Sequence, residues 1–156
     1  MEISSRRVVF ANVTAHPGAG WAEQEARNLI WATEEAGIQI RRIVHDRDSK
    51  FSPALDAILT AAGVTILRTP YRSPRANARC ECLLGSLRRE SLDWLLVWDE
   101  RHLLRILRQY FCHYNHARPH RALGLRAPDP PRATAQGQVV RVPRVAGLIN
   151  EYVRVA

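Results

Sequence analysis

Residues 38–81 read IQIRRIVHDRDSKFSPALDAILTAAGVTILRTPYRSPRANARCE. Ile38–His45 opens with an alternating Ile-x-Ile and turns apolar at Ile43-Val44, the pattern of a strand running inward. Ser52-Pro53 fits the N-cap and first position of a short helix with Leu55, Ile58, Leu59 and Ala62 as its apolar stripe. Gly63 ends that helix, and Val64–Leu67 is the next strand. This β-α-β order with brief connections predicts a mixed α/β domain. The first of these strands delivers Asp46 at its C-terminal end, where α/β sheets place their ligands. The stretch closes on Glu81, the first acidic residue after Asp56. Two carboxylates so placed in a basic chain suggest a metal site that handles a phosphodiester.

Upstream, Arg7–Thr14 (RVVFANVT) is rich in β-formers and reads as a strand, and Trp21–Ala36 reads as a helix closed by Gly37. Downstream, residues 69–76 form a loop holding Pro70 and Pro74. A helix follows from near Asn77 to about Leu95, buried through Leu83, Leu84, Leu87, Leu92 and Leu95. A second spans Glu100 to about Tyr114, with Leu103, Leu104, Leu107, Tyr110 and Phe111 inward. Pro119 stops any continuation. Val139–Val142 and Leu148–Val155 read as short extended pieces or a tail laid on the body.

The chain has 156 residues, enough for a core, and 46% of them are hydrophobic, which argues against disorder. Lys and Arg number 23 against 15 acids, a net charge of +8, and Lys50 is the single Lys. Arg presents a rigid fork of donors suited to phosphate, so composition points toward nucleic acid; an Arg-favouring codon bias explains the same excess without a partner. Cys80, Cys82 and Cys112 have no repeated spacing, so a reducing compartment without a disulfide framework is expected. No apolar run is long enough for a membrane span, and no signal-peptide pattern opens the chain.

Phosphoryl transfer with two metal ions needs several carboxylates that hold the ions about 3.5–4 Å apart. Asp46 and Glu81 are the candidate ligands, with ordinary surface placement as the alternative for each. A turn is expected after Asp46, so Asp48 is assigned to bracing it, and His45 to packing rather than ligation. Arg68, Arg72, Arg75 and Arg79 lead into Glu81, and Arg88 and Arg89 follow two turns on; phosphate contact is their functional reading and a solvated face the alternative. A zinc site from Cys112 with His113, His116 and His120 is the weaker metal reading. Trp94 and Trp98 are assigned to packing rather than base stacking.

Taken together, HDRDSKF, LRTPYRSPRANARCE, LRRESLDWLL and ERHLLRILRQYFCHYNHARPHRALGL resemble the integrase-type catalytic core of bacterial insertion-sequence transposases. These are DDE-type enzymes of the retroviral-integrase-like, ribonuclease H-like superfamily. The resemblance runs from about Ile3 to the GLINEY of residues 147–152. It implies a ribonuclease H-like mixed sheet with flanking helices, and two Mg²⁺ or Mn²⁺ ions held by an Asp, Asp, Glu triad that cleaves and joins DNA. The second Asp falls on Asp46 and the Glu on Glu81, with 34 residues between them. The signature Tyr114, Asn115, Arg118, Pro119 and His120 lies toward the end of the core, near its DNA-facing helices, and adds Arg118 to the DNA-contacting set.

The departures shape the remaining expectations. MEISSRRVV resembles the end of the family's second strand, so Glu2 takes a non-catalytic acidic position and no residue takes that of the first Asp. The first strand and most of the second are therefore expected to be missing. Cys80 and Cys82 replace a small residue and a larger or basic one beside Glu81. Residues 1–125 are expected to form a partial catalytic core and 126–156 a C-terminal extension. The expected role is that of a truncated transposase core, inactive as written, with an inert DNA-binding or regulatory fragment as the alternative. Implied partners are double-stranded DNA at transposon ends and target, and a second copy or full-length transposase. The implied location is the bacterial cytoplasm, at the nucleoid when DNA-bound.

Overall fold

The structure, a computed structural model, describes residues 1–70, 78–131 and 136–155. The chain is a mixed α/β protein whose described residues form two compact units. One comprises Thr14–Cys82, the other Met1–Val13 with Leu83–Ala156.

In the contiguous unit, α1 (Ala19–Glu35) is followed by β1 (Arg42–His45), α2 (Pro53–Ala61) and β2 (Thr65–Arg68). The predicted caps are present. Gly37 sits at φ +66°, the left-handed conformation that ends a helix, and its N–H donates to the Glu34 carbonyl. The Ser52 hydroxyl accepts from the Leu55 N–H at 3.1 Å, with Pro53 next in line. β1 and β2 pair in parallel from Arg42 opposite Thr65 to His45 opposite Arg68. Ala22 and Ala26 of α1 pack with Leu55 and Leu59 of α2 and with Val64. The β1 strand is shorter than the predicted Ile38–His45, because β2 offers only four partners; the Ile38 N–H instead donates to Thr33 at the end of α1. Ala62, predicted inward, is exposed as the helix C-cap.

The second unit contains α3 (Ala78–Glu90), which begins in the first unit, and α4 (Glu100–His116), with a hairpin of β3 (Gln138–Arg144) and β4 (Ile149–Val155). Its core joins Leu83 and Leu87 of α3 to Ile106, Leu107, Tyr110 and Tyr114 of α4, with Val8 and Val145. The helix predicted to reach Leu95 stops at Glu90. There the Trp94 indole N–H donates to the Arg89 carbonyl at 2.8 Å, satisfying a helix-end acceptor and turning Leu92–Trp94 into a 3-10 turn. Trp94 and Trp98 are 70% and 78% exposed, so the predicted packing role is corrected for both. Leu84 is exposed as well, one position round the helix from the buried Leu83–Leu87 stripe. The two pieces predicted as extended form an antiparallel hairpin in which Val142 faces Glu151.

Arg7–Thr14 is not a strand. A strand needs a neighbouring backbone, and here a side chain takes that place. The Asn115 amide accepts from the Val8 N–H and donates to the Val8 carbonyl, both at 2.9 Å. Asn115→Ala removes both partners at once. We expect it to destabilise this unit by about 2 kcal/mol, since each buried group left unpaired costs on the order of 1–3 kcal/mol where water does not replace the bond. A urea midpoint equal to that of wild type would refute this role.

Candidate functional site

Asp46 follows the last residue of β1, as expected, and is half-buried. Its Oδ1 accepts from the Asp48 N–H at 3.0 Å, and the Asp48 Oδ1 accepts from the Lys50 N–H at 3.0 Å. Two successive side-chain-to-backbone turns thus shape the connection to α2, with Asp48 bracing it. The Lys50 N–H and ammonium hold the Asp48 carboxyl below its ordinary value.

His45 is a packed residue. It is 7% exposed and its ring lies against Phe51, centroids 4.8 Å apart. Nδ1 lies 2.6 Å from the Asp46 carbonyl oxygen and Nε2 lies 2.9 Å from the Asp56 carboxylate. Asp56, on the first turn of α2, also accepts from Arg68 of β2. Burial pushes the Asp56 carboxyl up, but the bonds from Arg68 and His45 outweigh it and hold the group below its ordinary value. The parallel register explains the meeting: His45 and Arg68 are strand partners on the face turned to α2. Nothing in the spacing of the sequence singled out Asp56.

Glu81 lies on the first turn of α3, exposed to solvent, and belongs with Asp46 to the contiguous unit. Hard carboxylate oxygens suit Mg²⁺ or Mn²⁺ in kind. They fall short in number: among the described residues no group of three or more His, Cys, Asp or Glu could hold a metal ion. The residues described therefore do not fit a two-ion centre. The zinc alternative finds no support in the ring placements either. His113 Nδ1 pairs with Glu151 at 2.9 Å, His116 Nδ1 with the Asp129 carbonyl at 2.7 Å, and His120 Nε2 with the Tyr114 carbonyl at 3.4 Å. The three cysteines are exposed and unbridged.

The arginines divide by what holds them. Arg79, Arg88 and Arg89 are exposed along α3, and Arg88 also meets Asp93 at 3.2 Å. Arg72 and Arg75 lie outside the described residues. Arg68 is paired with Asp56 but remains about half exposed. Arg118 is half-buried and engaged: Nε and Nη2 donate to the two Glu90 oxygens at 2.8 and 2.5 Å, and its Cζ lies 5.6 Å from the Tyr114 ring centre. The Tyr110 hydroxyl, in a side chain with no exposed surface, donates to Glu90 at 2.9 Å. Burial pushes the Glu90 carboxyl up, yet the Arg118 and Tyr110 bonds hold it below its ordinary value. Burial first, then the Glu90 charge, pushes the Tyr110 phenol up. The signature residues of the sequence are thus tied into the fold: Tyr114 in the core, Asn115 on Val8, Arg118 on Glu90 and His120 buried edge-on to Tyr114.

Residues 62–128 match the integrase core domain family. This segment is similar to an integrase core. The match spans β2, α3, α4 and the signature that follows, so it includes Arg68, Glu81 and Arg118, while Asp46 lies before it. An integrase core carries an integrase- or transposase-type role, with DNA as the molecule acted on; such cores as a family depend on divalent metal ions. No protein of curated function matches the chain. Among the described residues no helix is long and apolar enough to cross a membrane.

Proposed function

We propose that this chain is part of the catalytic core of a DDE-type transposase of the bacterial insertion-sequence kind, with the elements in a ribonuclease H-like arrangement. One observation carries the proposal: an acidic residue directly after a parallel strand and another on the opening turn of the integrase-core helix, in one compact unit. Asp46 and Glu81 are the second and third carboxylates of the family triad. The family chemistry is metal-dependent cleavage and joining of DNA strands, and this chain's share of it is those two ligands. Residues 1–125 supply part of the core, and 126–156 form an extension that ends in the β3–β4 hairpin.

The exposed arginines of α3, Arg79, Arg88 and Arg89, with Arg68, Arg72 and Arg75, contact phosphates of double-stranded DNA. Arg118 serves DNA only through the fold it holds, because Glu90 occupies two faces of its fork. A second copy of the chain or a full-length transposase is the protein partner, and the bacterial nucleoid the location.

Two carboxylates give too few ligands for a two-ion mechanism. The isolated 156-residue chain is therefore expected to bind DNA without cutting it. Duplexes tiled across the DNA flanking the gene, incubated with the purified chain and Mn²⁺, should give neither nicked nor joined products; a joined product would overturn the inactive assignment. The exposed α3 arginines favour, as the second reading, an inert DNA-holding fragment. That reading expects salt-dependent duplex binding in which Glu81→Gln leaves affinity within about twofold. Arg88→Gln with Arg89→Gln should instead weaken binding and lower the salt slope by about 0.9 for each phosphate that is no longer neutralised.

A further inference from the structure

The β3–β4 hairpin has two unlike faces. One is pinned: Glu151 is 8% exposed and bonds to both His113 and Arg144, and Val145 at the turn is 1% exposed in the core. The Val145 N–H also donates to the Gln109 side chain at 2.8 Å. The register puts three pairs on the opposite face: Val139 opposite Arg154, Arg141 opposite Tyr152 and Pro143 opposite Asn150. Tyr152 is 71% exposed, and Arg141 and Arg154 are exposed beside it. That face carries no acid, since the hairpin's one acidic residue, Glu151, is turned the other way.

We propose that this outer face is a binding site for single-stranded DNA, with Tyr152 as the stacking surface and Arg141 and Arg154 as phosphate contacts. It deepens the DNA-acting role proposed above and rests on that role for the identity of the nucleic acid. Directly opposed residues of an antiparallel pair stand about 5 Å apart, and alternate residues of a strand about 7 Å, so two guanidiniums flank one ring within a nucleotide's reach. A tyrosine face is open to any base that is not already stacked in a duplex, and the flanking charges follow its backbone. The chain's charge of +8 favours a polyanion over any basic or neutral occupant. Arg154 also donates to the Gly137 carbonyl at 3.2 Å, which keeps its stem along the strand. A hairpin face that is merely solvated would respond to substitution of Tyr152 or Arg141 with no change in nucleic-acid affinity.

The test uses the full chain, a labelled twelve-nucleotide oligo(dT), and a duplex of the same length, followed by fluorescence anisotropy over a salt series. Tyr152→Ala should weaken oligo(dT) binding about tenfold or more, while Tyr152→Phe, which keeps the ring, should stay within about twofold of wild type. Arg141→Gln should lower the slope of log affinity against log salt by about 0.7 for the single strand. All three residues are exposed, so circular dichroism should show unchanged folding. Wild-type oligo(dT) affinity in Tyr152→Ala, equal losses in the Ala and Phe variants, or an unchanged slope in Arg141→Gln would each overturn the proposal. Duplex binding weakened by Arg88→Gln with Arg89→Gln, alongside any of those results, would reject the hairpin site and leave the α3 reading standing.

Discussion

Glu90→Ala is expected to destabilise the unit built on α3 and α4 by about 3 kcal/mol. The carboxylate is bonded by three donors: two on Arg118 and the Tyr110 hydroxyl. Removing it leaves a half-buried guanidinium without its counter-charge and a fully buried phenol without an acceptor. Breaking a buried pair by deleting one partner costs about 3–5 kcal/mol, reduced here because Glu90 and Arg118 keep 34% and 22% exposure. Glu90→Gln keeps an acceptor for Tyr110 and should lose about half as much. Arg118→Lys should resemble the Gln change, because an ammonium cannot reproduce the two parallel bonds of the fork.

The same clamp sets an acid limit. Glu90 is held below its ordinary value of 4.5 in the folded state. Its contribution is therefore complete above about pH 4.5 and is lost as the pH falls through the lower folded value. At the other end, the Tyr110 phenol is raised above 10.0, so its contribution is complete below that pH and fades as alkali rises through the folded value. Hydrogen exchange of the α4 amides over a pH series reports both limits without averaging over the contiguous unit, residues 14–82. Wild-type protection in Glu90→Ala, or an acid limb identical in the two proteins, would remove the clamp from the account.

Asp56→Ala carries an expected effect of about 2–3 kcal/mol, confined to residues 14–82. It strips the buried His45 ring of one of its two partners and Arg68 of its carboxylate. Because the other His45 nitrogen is held by the Asp46 carbonyl, the change should also loosen the Asp46 turn. The sign of its pH dependence follows from a folded value below 3.8: the stabilisation is present above that pH and disappears as the solution is acidified further. Amide protection in α2 and β2 should drop in the variant at neutral pH, and its acid limb should flatten. Unchanged protection there would show that the His45–Asp56–Arg68 contact contributes nothing to the unit.

The sequence was legible where local chemistry decides structure. Gly37, Ser52-Pro53 and Gly63 mark helix ends that the structure keeps, and the His45–Asp46 step is the end of a strand, as its pattern implied. The integrase-core resemblance was readable from motifs that the family match partly covers. It was illegible where the deciding partner lies far along the chain. RVVFANVT has every local property of a strand, but what lies beside Val8 is the side chain of Asn115. Nothing in its local sequence marks Glu90 until Arg118 and Tyr110 fold onto it. Trp94 reads as core because tryptophan usually is; its indole is spent on a backbone carbonyl at the surface. For Asp46 and Glu81, what the sequence made legible is their placement, one after a strand and one on the first turn of a helix.

The Asn115 amide on Val8 also bears on the order of synthesis. One unit is contiguous, from Thr14 to Cys82, and has its own core, so its residues are all synthesised before α4 begins. The other is assembled from the first thirteen residues and everything after Cys82, and its pairing of Val8 with Asn115 spans 107 positions. Contacts of such long sequence separation form late, because closing the loop costs entropy before the contact returns it. Val8 therefore waits for Asn115 until α4 is made, and a pause before α4 should prolong the time in which Val8 and its neighbours are open to proteases or chaperones.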